Sequence, residues 1–181
     1  MDSKTHQTAV VLIPPQECWE PIQVIRRVHD RHVERWMPHV TLLYPFRPRE
    51  MFDEAAGMLR ATVKDIEPFG VRLREFRHFR HGRTGYTIWL APEPDDALKQ
   101  LQDRLQAALP DCDDVSRYGA GFTPHLSVAQ VRGSAALEEL TRSLRESWRP
   151  IVFRATQVSL IWRDAPPNDV FQVDRSVPLG R

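Results

Sequence analysis

The chain has 181 residues, 41% of them hydrophobic and 27% charged, proportions that suit a folded domain with a sizeable core and argue against a disordered or fibrous chain. With 25 basic and 24 acidic side chains the formal net charge is +1, too small for a protein that coats nucleic acid by bulk attraction. No stretch approaches the roughly 18 apolar residues of a membrane span, and Met1–Gln7 lacks the layout of a signal peptide, so we expect a cytoplasmic protein with no membrane partner. Cys18 and Cys112 stand apart without CxxC spacing and read as reduced, structural thiols.

The first element is the apolar, β-branched run Thr8–Pro14, a buried strand stopped by Pro14 and Pro15. A helix follows, with Trp19, Ile22, Ile25 and Val28 recurring by three, Val24 alongside and Pro21 in the first turn. Pro38 to Phe46 is a second strand bracketed by prolines, and Met51 to Ile66 a second helix. Phe69 to Phe79 is strand-like with slips in alternation that suggest a bulge. The order then recurs. Gly85–Pro92 is a strand, Asp95 opens a helix through Leu98, Leu101, Leu105 and Leu109, and Phe122–Ala129 is a strand. Ser134 is placed as the cap of a helix running to Trp148, Ile151–Trp162 reads as a strand or bent pair, and Val170–Val173 as a last strand before a polar terminus.

Strand, helix, strand, helix, strand thus occurs twice, over about residues 8–80 and 85–165, and the second strand of each set carries a matching tetrapeptide after a proline. These are His39-Val40-Thr41-Leu42 and His125-Leu126-Ser127-Val128, whose histidines stand 86 residues apart. Duplication predicts a single two-lobed domain over 1–181. Its fold class is α+β: a bilobal duplicated unit, with two mostly antiparallel sheets flanking a central cleft and helices on the outer faces. A pseudo-two-fold axis would set the two motifs on opposite walls of that cleft.

On an extended strand alternate side chains share a face, so each imidazole points the same way as the hydroxyl two residues on, while Val40 and Leu126 turn inward. Two such pairs across one phosphate supply a proton acceptor, a proton donor and donors for the nonbridging oxygens. Histidine populates both protonation states near neutrality. A core role for one imidazole would be ordinary, but two histidines in equivalent apolar settings are poorly explained that way.

On these residues the chain resembles the 2H phosphoesterase superfamily, and within it the 2′,5′ RNA ligase-like branch, a likeness that extends to the opening strand Ala9–Pro14 and to the contexts Pro38–Leu42 and Thr123–Val128. The resemblance implies a bilobal fold, no metal and no cofactor, and activity on 2′,3′-cyclic phosphates or 2′-5′ phosphodiesters. It implies His39 and His125 as acid and base, and Thr41 and Ser127 as donors to phosphate oxygens. The branch often continues its second motif into an arginine-containing turn, for which Arg132 in Gln130–Gly133 is the candidate. The expected partner is RNA or a nucleotide with a cyclic or 2′-5′ phosphate, met by a monomer. Two alternatives stand beside a cyclic phosphodiesterase: a noncatalytic RNA- or nucleotide-binding module, and a 3′-end-trimming RNA exonuclease of the same superfamily.

Other residues read more plainly. Arginine far outnumbers lysine, found only at Lys4, Lys64 and Lys99, and the arginines between Arg72 and Arg83 suit a solvated strand face. His78 and His81 lack metal-ligating neighbours and read as a solvated turn, His29 and His32 as a solvated helix end, and His6 as a frayed terminus. Among the aromatics near the motifs, Phe46 and Phe122 are expected to pack, whereas Tyr44, Tyr118 and Trp162 are candidates to stack on a base.

Overall fold

Proline-bounded β-branched runs and three-to-four periodic helices divide the chain much as the pattern predicts. The computed structural model describes residues 4–117 and 121–180. Among them the elements run β1 (Thr8–Leu12), α1 (Trp19–His29), β2 (Val40–Leu43), α2 (Phe52–Val63), β3 (Phe69–His81), β4 (Gly85–Glu93), α3 (Asp95–Ala108), β5 (Leu126–Arg132), α4 (Ser134–Ser147), β6 (Ile151–Ala155), β7 (Gln157–Trp162) and β8 (Gln172–Pro178). The strands form two four-stranded sheets, ordered β2-β1-β7-β8 and β5-β4-β3-β6, and every pairing is antiparallel. This is the expected α+β class.

The chain exchanges strands between the sheets. The β3–β4 hairpin joins the two halves within one sheet, and the stretch read as a strand or bent pair is two strands: β6 lies beside β3, and β7 crosses to β1. Each sheet therefore draws on both halves. The two motif strands, β2 and β5, are edge strands of different sheets, and they approach each other where the sheets meet.

One shared core explains why the sheets hold together. Val10, Leu12, Val40 and Leu160 from the first sheet and Leu73, Phe76, Ile88 and Val128 from the second bury into the same cluster. Helix α4 covers the second sheet, with Trp148 Nε1 donating to the Leu73 carbonyl at 3.0 Å, and α2 and α3 pack on one another. A smaller cluster, Ala9, Val11, Ile161 and Phe171, fills the opposite face of the first sheet.

Three local expectations change. Helix α1 buries Ile22 and Arg26 rather than its valines: Val24 is 54% and Val28 74% exposed, because α1 packs sideways against β5. Ser134 is the first helical residue and makes no capping bond; the N-cap is Gly133 at φ +89°, a conformation glycine adopts without steric cost. The last strand runs to Pro178 because its pairing with β7 extends to Gln157, which a polar sequence does not advertise.

Candidate active site

His39 and His125 each occupy the residue immediately before a motif strand, behind a buried proline, Pro38 or Pro124. The residue before a proline is biased to extended backbone, and here that residue, Met37 or Thr123, presents its carbonyl to the imidazole. Nδ1 of His39 donates to Met37 O at 2.7 Å, and Nδ1 of His125 donates to Thr123 O at 2.7 Å. A carbonyl only accepts, so both neutral rings carry their proton on Nδ1. Each Nε2 is left with a lone pair and, among the described residues, no protein partner.

The likeness of the two motifs extends into the backbone register. On β2, Thr41 faces Val11 and Leu43 faces Val10, which leaves Leu42 bulged. On β5, Ser127 faces Trp89 and Ala129 faces Ile88, which leaves Val128 bulged. The fourth residue of each motif is thus a buried bulge, a device that re-aims neighbouring side chains. Thr41 and Ser127 are half-buried, and neither hydroxyl has a protein partner among the described residues.

Aromatic rings fix both imidazoles. Trp36 stacks on His39 at 4.6 Å and 17°, and its other face lies on Phe171 at 3.7 Å. Phe79 meets His125 edge-on at 4.9 Å, with Trp89 at 5.9 Å. Burial lowers the His39 pKa to about 4; the Met37 hydrogen bond opposes this, and the charges of Arg26 and His125 add to it. Burial also lowers His125, opposed by the Thr123 bond. That the charge of His125 is felt at His39 fits two rings on facing edges.

Behind the first ring lies a buried ion pair. Arg26 and Asp30 side chains are 2% and 3% exposed and bond at 2.7 Å; Arg26 also donates to Trp36 O at 2.9 Å, and Asp30 accepts from His32 N–H at 2.9 Å. The pair anchors the turn that carries Trp36, and Trp36 in turn seats His39. Nothing in the motifs announces this. The available signal was the four-residue step from Ile22 to Arg26, which puts a charge on the buried stripe, where a partner such as Asp30 is required.

A cavity of about 850 Å³ opens at the sheet junction, walled by His39 and Trp36 on one side and Ser127 and Gln130 on the other. Each motif therefore contributes a residue to one space. Thr41 and His125 are not among the residues that line it; each stands two residues along its strand from a motif partner that does. Arg132 lines its far end. So do His29 and His32, which are partly buried, and His81, which is exposed as expected, because the turn after α1 and the β3–β4 turn fold over the same space. Tyr44 does not line it: the ring packs edge-on to Trp36, its hydroxyl donates to His6 O at 3.3 Å, and burial raises its pKa against the lowering charge of Arg163. Trp162 does not line it either, being covered by the Arg49 guanidinium at 3.6 Å. Tyr118 falls outside the described residues. Phe46 and Phe122 are buried. Among the described residues no group of three or more His, Cys, Asp or Glu is placed to hold a metal ion, and no helix is long and apolar enough to cross a membrane.

The chain is similar to several known proteins. The family described as "2′-5′ RNA ligase superfamily" matches it over residues 14–167. A "Putative phosphoesterase" of Geobacillus kaustophilus (strain HTA426) is 27% identical over 122 residues, 67% of each chain. One of Staphylococcus aureus (strain Newman), similarly named, is 25% identical over 135 residues, 72% of this chain and 75% of its own. Among solved structures, E. coli LigT complexed with 3′-AMP superposes with a TM-score of 0.65 at 17% identity, over 99% of this chain and 100% of LigT. TT0787 of Thermus thermophilus gives 0.64 at 18% identity, over 96% and 98%. LigT has also been crystallised with phosphate and with ATP. At such identities the structural likeness speaks to the fold.

Proposed function

The chain belongs to the 2′-5′ RNA ligase superfamily, and from that premise we propose that it is a metal-independent phosphodiesterase, acting on a 2′,3′-cyclic phosphate or a 2′-5′ phosphodiester of an RNA-like substrate through His39 and His125. The observation that carries this reading is the matched pair of imidazoles: each is bonded through Nδ1 at 2.7 Å, each leaves Nε2 free, and each heads one of two adjoining edge strands. The complex of LigT with 3′-AMP lends support, since it shows that a protein of this fold binds a nucleotide.

In the proposed reaction His39 is the base. Its lowered pKa keeps Nε2 unprotonated, ready to take a proton from the attacking water. His125 in its protonated form gives a proton to the leaving ribose oxygen as the P–O bond breaks, and the roles reverse in the ligation direction. Thr41 and Ser127 donate to the nonbridging oxygens as charge builds on them. Arg132 is assigned a substrate contact and Trp36 the seating of His39.

The test is turnover of 2′,3′-cyclic nucleotides and a 2′-5′-linked dinucleotide by the wild type, His39→Ala and His125→Ala, with and without EDTA. The proposal expects turnover that EDTA leaves intact and that either substitution lowers by about 100-fold or more. Binding without turnover across the panel, or activity abolished by EDTA and restored by zinc, would overturn it.

A further inference from the structure

The cavity that holds His39 and Ser127 extends beyond them to a wall of cations. Arg31, Arg83 and Arg132 line it, and none has a carboxylate partner among the described residues. Several arginines elsewhere are paired, Arg27 with Glu20, Arg35 with Asp169, Arg49 with Asp174 and Arg142 with Glu146, while others, such as Arg60 and Arg154, stand apart on the surface without a carboxylate partner among the described residues. The one carboxylate lining the cavity among the described residues, Asp30, is already bonded to Arg26 at 2.7 Å. In a chain of net charge +1, such local segregation of positive charge is an attractive field for an anion.

The wall is also organised. Arg31 is held from two sides: its backbone N–H donates to Gln130 Oε1 at 3.1 Å, and its Nε donates to His32 Nε2 at 3.1 Å. Burial and the neighbouring Arg31 charge lower the His32 pKa, which keeps that ring a neutral acceptor and leaves the outer guanidinium nitrogens free. Opposite, His81, Gly85 and Arg132 form one cross-strand row over β3, β4 and β5, with His81 Nε2 bonded to Thr87 Oγ1 at 2.9 Å. The middle of that row has no side chain, and a Cβ on Gly85 would meet His81 O at 3.0 Å. From Ser127 to Arg132 is five residues along β5, on the order of 15 Å at the rise of a strand.

We propose that this end of the cavity is a second phosphate subsite, in which Arg31, Arg83 and Arg132 hold a phosphate of the substrate other than the one attacked. The proposal rests on the phosphodiesterase reading for the identity of the first phosphate. Guanidinium forks suit phosphate oxygens, and the separation exceeds what a bare cyclic mononucleotide can span. The second phosphate is either an internal diester of a short single-stranded oligonucleotide or the terminal group of a nucleoside polyphosphate.

The experiment compares three substrates with the same cyclic end: adenosine 2′,3′-cyclic phosphate with a free 5′-hydroxyl, its 5′-triphosphate, and a trinucleotide ending in that cyclic phosphate. In the wild type at low salt, kcat/KM for one or both of the longer substrates should exceed that of the first by about tenfold or more, and which one does so identifies the source. In Arg31→Gln/Arg83→Gln, at two exposed positions, the ratio should fall to within about twofold of one. The log–log salt slope of trinucleotide affinity should flatten by about 0.7 for each phosphate no longer neutralised. A wild-type ratio near one for both, or an advantage that survives the double substitution, overturns the subsite. Should none of the three turn over, the cyclic-phosphate reading fails. The affinities of the same ligands, measured by competition against a labelled trinucleotide on wild type and double variant, then decide the subsite by the same ratios.

Discussion

Replacing Asp30 with alanine strips the partner from a guanidinium that is 2% exposed. Arg26 would keep its bonds to Trp36 O and Gln23 Oε1, at 2.9 Å each, but its charge would stand uncompensated in a desolvated site, and the His32 N–H would lose its acceptor. Breaking a buried pair from one side costs about 3–5 kcal/mol, a large share of the roughly 5–15 kcal/mol that holds a domain folded. Equilibrium urea denaturation should record the loss as a lower midpoint with an unchanged m-value, and thermal unfolding as a drop of about 10 °C. Asp30→Asn, which keeps an acceptor for His32, should lose less. Arg26→Met/Asp30→Leu, which removes both charges, should recover much of the stability while remaining catalytically impaired, because Trp36 O loses its donor and His39 its stacked support. A loss below about 1 kcal/mol for Asp30→Ala, or full activity in the double variant, would refute the role of the pair in seating His39.

Further outcomes follow from the same geometry. With His39 acting as base and His125 as acid, kcat/KM should rise as His39 loses its proton near pH 4 and fall as His125 loses its own below 6.5, giving a bell in the mildly acid range; a profile flat from pH 4 to 7 would contradict that assignment. Thr41→Val and Ser127→Ala should each lower kcat by about 100-fold or more while the fold, checked by circular dichroism, persists; unchanged kcat would remove them from the transition state. Trp36→Leu should reduce kcat/KM and raise the His39 pKa as water reaches the ring, which NMR titration of the imidazole would register; an unmoved pKa would deny Trp36 that role.

Local pattern went far here. The prolines ahead of His39 and His125, the alternation of Val40 and Leu126 against Thr41 and Ser127, and the leucine ladder of α3 are all short-range signals, and the elements they predict are present. What local pattern lacked was the third dimension. The break at Thr156 sends β6 and β7 to different sheets, yet in sequence they form one alternating run. His32 and Arg83 sit in polar turns and His81 ends β3 beside one, as solvated residues do; only the meeting of those segments with β5 puts them in one cavity. Trp162 ends an apolar strand, as a base-stacking ring would, but the guanidinium covering it comes from Arg49, far away in sequence. Trp36 carried a faint signal, a large aromatic three residues before a histidine, and its stacking depends on Phe171 from the far end of the chain.

The most direct measurement follows the imidazole resonances of both histidines while a nucleoside 2′-monophosphate is titrated into the wild-type protein. Two rings serving one phosphorus atom should shift together, with a single dissociation constant and with both pKa values raised by the bound anion. Movement of only one ring, or of each with its own constant, would contradict a shared site.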